Sequence, residues 1–216
     1  MAVLHYLYDP LCGWCYGAEP LVRAARGVDG LEVRLRAGGL WPQPTRLPDE
    51  MRRYIRDADA RVAEMSGQPY GPAYLDGLLL DPGLVLHSAP TIAAVLAADA
   101  LESGRGFDML HGIQHAHYED GRHVVRHDVL CDIAERLGFE RKAFEAAVAA
   151  APVDVHVADT RRMMSAVGAR GFPTFVLDVE GRRFVVPHHR FGGSPEAFAD
   201  WLRGEIDRSL GLPLKA

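Results

Sequence analysis

The chain has 216 residues, 48% hydrophobic and 25% charged, with a formal net charge of −5. That is enough apolar sequence for a sizeable core in one larger domain, or in one domain carrying an insertion. The acidic balance lacks the basic stripe of a nucleic-acid surface, and no apolar run approaches the roughly 18 residues of a membrane-spanning helix, so neither nucleic acid nor membrane is an expected partner.

Residues 3–8, Val-Leu-His-Tyr-Leu-Tyr, are short, apolar and aromatic and predict a strand. No basic region, apolar stretch or small-residue cleavage site precedes them, and the expectation is a cytoplasmic protein. Asp9-Pro10 ends the strand and opens a helix predicted over 13–26, with Asp9 as its cap, Leu21, Val22 and Ala25 on one stripe, and Gly27 as the stop. Leu31 to Ala37 alternates apolar and charged residues with period two, a second strand expected to lie parallel to the first.

Gly38-Gly39 and the proline-rich run to Pro48 read as a loop. A helical block follows, with helices predicted over 49–66, from Ser88 (as cap) to Leu101, and over 106–118, 127–137 and 140–150. No strand is expected between about 40 and 170. Phe172 to Asp178 and Arg182 to Val186 are strand candidates, joined at Glu180-Gly181 as a hairpin, and 194–210 closes the chain as a helix. The order is strand, helix, strand, helical block, strand, strand, helix. It is the order of a thioredoxin fold, in the α/β class, with a large all-helical insertion. The expected division is 1–39 and 166–216 for the thioredoxin-fold domain and 40–165 for the insertion.

The segment Asp9-Pro10-Leu11-Cys12-Gly13-Trp14-Cys15-Tyr16-Gly17 carries the chemistry. The chain has only three cysteines, too few for a disulfide scaffold, and in a reducing compartment a Cys-x-x-Cys pair is more often catalytic or metal-binding. Cys12 is aimed at a helix N-terminus, where free amides and the helix dipole favour a thiolate. Cys15, one turn on, is placed to attack a mixed disulfide formed on Cys12. Two readings compete: a pair of small core residues, and a structural zinc site. Zinc would need two further ligands, for which only Cys131 and no finger-spaced histidine pair are available. In Gly171-Phe172-Pro173-Thr174-Phe175 a proline opens a strand, where it cannot donate to the ladder; a cis peptide is one reason for it.

Taken together, the Cys12–Cys15 segment and Gly171-Phe172-Pro173-Thr174 resemble the active-site and cis-proline segments of the DsbA family, most closely its cytoplasmic FrnE-like branch. Ala116-His117-Tyr118, Val129-Leu130 and Ala134 to Phe139 resemble the family's inserted helical domain. The resemblance implies a thiol–disulfide oxidoreductase or isomerase acting on peptide, protein or small-thiol disulfides. Cys12 would attack, Cys15 resolve and Pro173 pair with substrate backbone, flanked by Phe172 and Thr174. No cofactor is implied beyond an electron partner such as glutathione or thioredoxin. The departure lies between the cysteines, where Gly13-Trp14 replaces the Pro-His of the periplasmic oxidant. Tryptophan cannot stabilise a thiolate by charge, so a more reducing or isomerase-like potential is expected, with Trp14 offering an apolar surface to substrate.

Other candidate residues have simpler readings. Asp9 either caps the helix or accepts the Cys15 proton during resolution. Glu19 reads as a solvated carboxylate and Cys131 as a small buried hydrophobe. His111, His115 and His117, with His123 and His127 beyond, read as polar residues on a solvated helix rather than a metal site, and His188-His189 as loop. Gly192-Gly193 lacks the spacing of a nucleotide fingerprint. Two alternatives stay open: a glutathione-dependent isomerase or transferase of the kappa-like class, whose relatives carry serine at the position of Cys12, and a non-catalytic chaperone or binding module.

Overall fold

The computed structural model describes residues 2–211. Its main sheet has four strands in the order β2-β1-β5-β6, with β1 at Ala2–Tyr8, β2 at Leu31–Ala37, β5 at Thr174–Val179 and β6 at Arg182–Val185. β1 runs parallel to β2, as predicted, and antiparallel to β5, which forms the predicted hairpin with β6. Glu180 and Gly181 turn that hairpin at φ of 51° and 85°; two successive positive φ values suit the right-handed twist of the flanking strands.

The two central strands, β1 and β5, are buried on both faces, and period two sorts their side chains. Leu4, Tyr6 and Tyr8 share one face with Phe175, Leu177 and Val179, whereas Leu7 and Val176 face the other way. The first face packs on α2 (Glu19–Arg26) and the C-terminal helix α9 (Pro195–Leu210) through Leu21, Ala25, Phe198 and Leu202. Tyr6 stacks on Phe175 at 4.8 Å, and Phe198 meets Phe175 edge-on at 5.4 Å. Each such fully buried ring contributes roughly 1.5–3 kcal/mol. The second face takes Met164 of α8 (Val153–Ala166).

Between β2 and β5 lie α3 (Asp49–Ser66), α4 (Ser88–Leu101), α5 (Gly106–Tyr118), α6 (His127–Arg136), α7 (Arg141–Ala150) and α8. All but α8 were individually legible from the pattern. Four expectations need correction. The helix predicted over 13–26 is two helices, α1 (Gly13–Gly17) and α2, parted at Ala18. Pro20 has no N–H to offer the Tyr16 carbonyl, which instead accepts from Gln68 Nε2 at 3.1 Å. Asp9 does not cap α1, because the N-cap position belongs to Cys12. Ser88 is not a cap either; His87 holds that position, and the Ser88 hydroxyl accepts from the Trp41 amide at 2.9 Å. Finally, the block does contain strands: β3 (Thr45–Arg46) and β4 (Val85–Leu86) pair as a two-residue ladder too short to leave a periodic signal.

Candidate active site

The end of β1, the first turn of α1 and the start of β5 converge on the two cysteines. Cys12 closes the loop from β1 in an extended conformation, and its carbonyl accepts from the amides of Cys15 (2.9 Å) and Tyr16 (3.0 Å). Both cysteines are thiols. Cys12 keeps 5% of its surface exposed and Cys15 none, so of the two only Cys12 has any surface open to the outside. Burial above all, then the adjacent Cys12 sulfur, pushes the Cys15 thiol well above its ordinary pKa. The backbone N–H of Asp9 points at the Cys15 sulfur, 3.5 Å away. The Cys12 thiol lies 3.7 Å from the Phe172 carbonyl, its acceptor.

The Asp9 side chain is completely buried. Its Oδ1 accepts from Leu11 N at 2.9 Å and its Oδ2 from Leu40 N at 2.7 Å. It therefore ties the loop before Cys12 to the loop after β2. Burial raises its pKa, opposed by the Leu40 amide, the Ser88 hydroxyl and the Leu11 amide.

The Phe172–Pro173 bond is cis, as the sequence predicts. Thr174 is buried and its hydroxyl donates to the Gly171 carbonyl at 2.8 Å. The Phe172 ring rests on Gly38, where an added Cβ would lie 2.2 Å from Cζ. Arg161 of α8 covers the same ring at 5.1 Å from its centroid and donates to the carbonyls of Gly38 (2.5 Å) and Gly39 (2.6 Å). Trp14 is 41% exposed. It borders an apolar groove shared with Leu21, Val62, Met65 and Pro173. His188 and His189 flank that groove on a single helical turn rather than in loose loop, and the His188 ring packs on Phe175.

The helical block supplies residues that the sequence did not announce. Tyr70 donates to the Gly13 carbonyl at 3.1 Å, and Tyr74 to Asp59 Oδ2 at 2.7 Å. Asp59 is buried, and that burial pushes its carboxyl up to about 7, opposed by the Tyr74 and Tyr70 hydroxyls beside it. Tyr16 stacks on Tyr118 at 4.8 Å and donates to Glu119 at 2.8 Å. One signal was present: a glycine between two cysteines fits a position that another side chain approaches closely.

Two further expectations are corrected. Glu19 is not solvated; its side chain is 16% exposed and pairs with Arg23 at 2.7 Å. His117 is buried between Tyr74 and Tyr118, and burial lowers its pKa to about 4. His111 and His115 do line the surface, and His115 faces Glu119 and Asp120. Cys131 is buried, as expected, although its sulfur touches His127 and Glu145.

The profile of the DSBA-like thioredoxin domain matches residues 3–198. The chain belongs to this family. Among solved structures it is similar to the cytosolic disulfide reductase DsbM from Pseudomonas aeruginosa, at 45% identity and a TM-score of 0.88, covering 95% of this chain and 99% of that one. The same relative with GSH matches with a TM-score of 0.85 at 45% identity, covering 94% and 98%. A candidate protein disulfide isomerase from Nitrosomonas europaea, 23% identical with a TM-score of 0.82 over 96% and 98% of the two chains, shares the fold. No match was found among curated proteins. The DSBA-like family, the fold and the adjacent thiols make this protein a thiol–disulfide oxidoreductase. Among the described residues no helix is long and apolar enough to cross a membrane.

Proposed function

We propose that the protein is a cytoplasmic disulfide reductase in which Cys12 attacks and Cys15 resolves. The Cys12 sulfur attacks one sulfur of a substrate disulfide, forming a mixed disulfide and releasing the other sulfur as a thiolate. Cys15 then attacks Cys12, its proton passing to the departing thiolate, and the second substrate thiol leaves. Two electrons pass to the substrate, and the Cys12–Cys15 disulfide is reduced again by a small thiol of the glutathione class. The observation that carries this reading is the asymmetry of the pair: a Cys12 with an exposed edge beside the Phe172 carbonyl, over a fully buried Cys15. Similarity to a cytosolic reductase also solved with GSH supports the direction and the electron donor. The groove beside Trp14 and Pro173 would take the apolar part of the substrate.

Redox titration in glutathione buffers tests it, with thiols alkylated and counted by intact mass. Two thiols should disappear together in both wild type and Cys131→Ala. Cys15→Ser should accumulate a mixed disulfide on Cys12, and Cys12→Ser should accumulate none. If no bridge forms at any accessible potential, the proposal is wrong.

A further inference from the structure

We propose that His127, Cys131 and Glu145 form a binding site for one thiophilic divalent cation, with zinc as its natural occupant. None of the three belongs to the dithiol site. His127 is the first residue of α6, Cys131 lies one turn on along the same face, and Glu145 reaches across from α7. A histidine nitrogen, a thiolate and a carboxylate are a ligand set that suits zinc.

Geometry carries the argument. Nε2 of His127 is 3.5 Å from the Cys131 sulfur and 3.4 Å from Oε1 of Glu145. The sulfur is 3.7 Å from that same oxygen. In a tetrahedral zinc site, bonds of about 2.0–2.1 Å to nitrogen and oxygen and about 2.3 Å to sulfur set ligand–ligand edges of roughly 3.3–3.6 Å. The three donor atoms therefore already outline one face of a zinc tetrahedron. The His127 and Glu145 side chains are 59% and 38% exposed, which leaves the fourth vertex to water and gives the ion a way in.

Charge is compatible. A thiolate and a carboxylate balance the dication, and the thiol proton goes to solvent as the metal–sulfur bond forms. Arg141 approaches the same Glu145 oxygen at 3.4 Å, but it is also held by Glu135 at 2.8 Å and Asp132 at 3.6 Å. Glu145 can turn to the ion without leaving the guanidinium unpaired. An ion so held joins α6 to α7 and withdraws the third thiol of the chain from exchange with Cys12 and Cys15.

The test is cobalt(II) titration of full-length Cys12→Ser/Cys15→Ser, in which Cys131 is the one thiol left. One equivalent should bind with a thiolate-to-cobalt charge-transfer band and be displaced by zinc. The band should vanish in the same background with Cys131→Ala. His127→Gln and Glu145→Gln change exposed side chains, so the fold, checked by thermal melting, should persist while affinity falls at least about ten-fold. Absence of the charge-transfer band in the parent overturns the site. So does a band whose strength and affinity are unchanged in both His127→Gln and Glu145→Gln.

Discussion

The carboxylate of Asp59 stands against the α-carbon of Gly13, so that a methyl group there would lie 2.1 Å from Oδ1. The helical block thus reaches in between the two cysteines and admits only glycine. Gly13→Ala must push α1 away from α3 or displace Asp59. Overpacking of this kind costs about 1–3 kcal/mol. Urea unfolding should show that loss in Gly13→Ala, and a smaller loss when Gly13→Ala is added to Asp59→Ala. Strictly additive changes would mean that the two residues do not meet.

Asp59 also makes stability depend on pH. Its carboxyl, at about 7 in the fold against an ordinary 3.8, holds its proton more tightly folded than unfolded. Below about pH 4 both states are protonated and the group costs nothing. As pH rises from there towards about 7, unfolding releases a proton and stability falls; above that range the loss levels off. Three pKa units correspond to a few kcal/mol at most. Asparagine keeps an acceptor for Tyr74 and does not titrate. Asp59→Asn should therefore gain on wild type across this window, measured as unfolding free energy at several pH values. Parallel pH curves for the two proteins would contradict the assignment.

Arg161 makes three contacts that converge on the Cys12 side of the site: two backbone carbonyls and the Phe172 ring. Removing it leaves both carbonyls without their donor and the ring free to shift under Cys12. Arg161→Ala should reduce kcat/KM for a disulfide substrate roughly ten-fold, equivalent to about 1.4 kcal/mol. Lysine keeps the charge but cannot present two donors in one plane, so Arg161→Lys should recover little. Gly38→Ala, which drives a methyl into Phe172, should give a similar defect. Unchanged kcat/KM in both Arg161→Lys and Gly38→Ala would remove Phe172 from any role in turnover.

The contrast between Cys12 and Arg161 shows what a sequence can disclose. The strands, most helices and the thiol pair follow local rules: period two, period 3.6, and two cysteines one turn apart. Those rules operate within a few residues. Arg161 meets Gly38 and Gly39 across more than a hundred residues, and Asp59 meets Gly13 across nearly fifty. Nothing local distinguishes either from the many solvated charges of a helix. His117 misled for the same reason, since its neighbours along α5 give no hint that Tyr74 will cover it. The break at Ala18 was legible in principle, because Pro20 was there to be read.

Asp9 decides whether a carboxylate moves a proton here or only holds two loops. Both of its oxygens already accept backbone amides, from Leu11 and Leu40, and it is its N–H that faces the Cys15 sulfur. That arrangement favours positioning. In Asp9→Asn one oxygen becomes an NH2 group facing an amide donor, and leaving a buried donor unsatisfied costs about 1–3 kcal/mol. On the proposed mechanism, a positioning residue would then slow formation of the mixed disulfide on Cys12 and its resolution by Cys15 together, with the pH dependence of both unchanged in shape. A proton acceptor behaves differently. Because burial raises the Asp9 pKa, its ionised form would grow in only above the ordinary carboxylate range. Resolution in wild type would accelerate with that ionisation, and Asp9→Asn would slow that step alone and flatten its pH profile. Rapid-quench measurement of the two steps across pH separates these cases. The expected result is equal slowing of both steps with profiles of unchanged shape; selective loss of the resolution step would restore the carboxylate as the base.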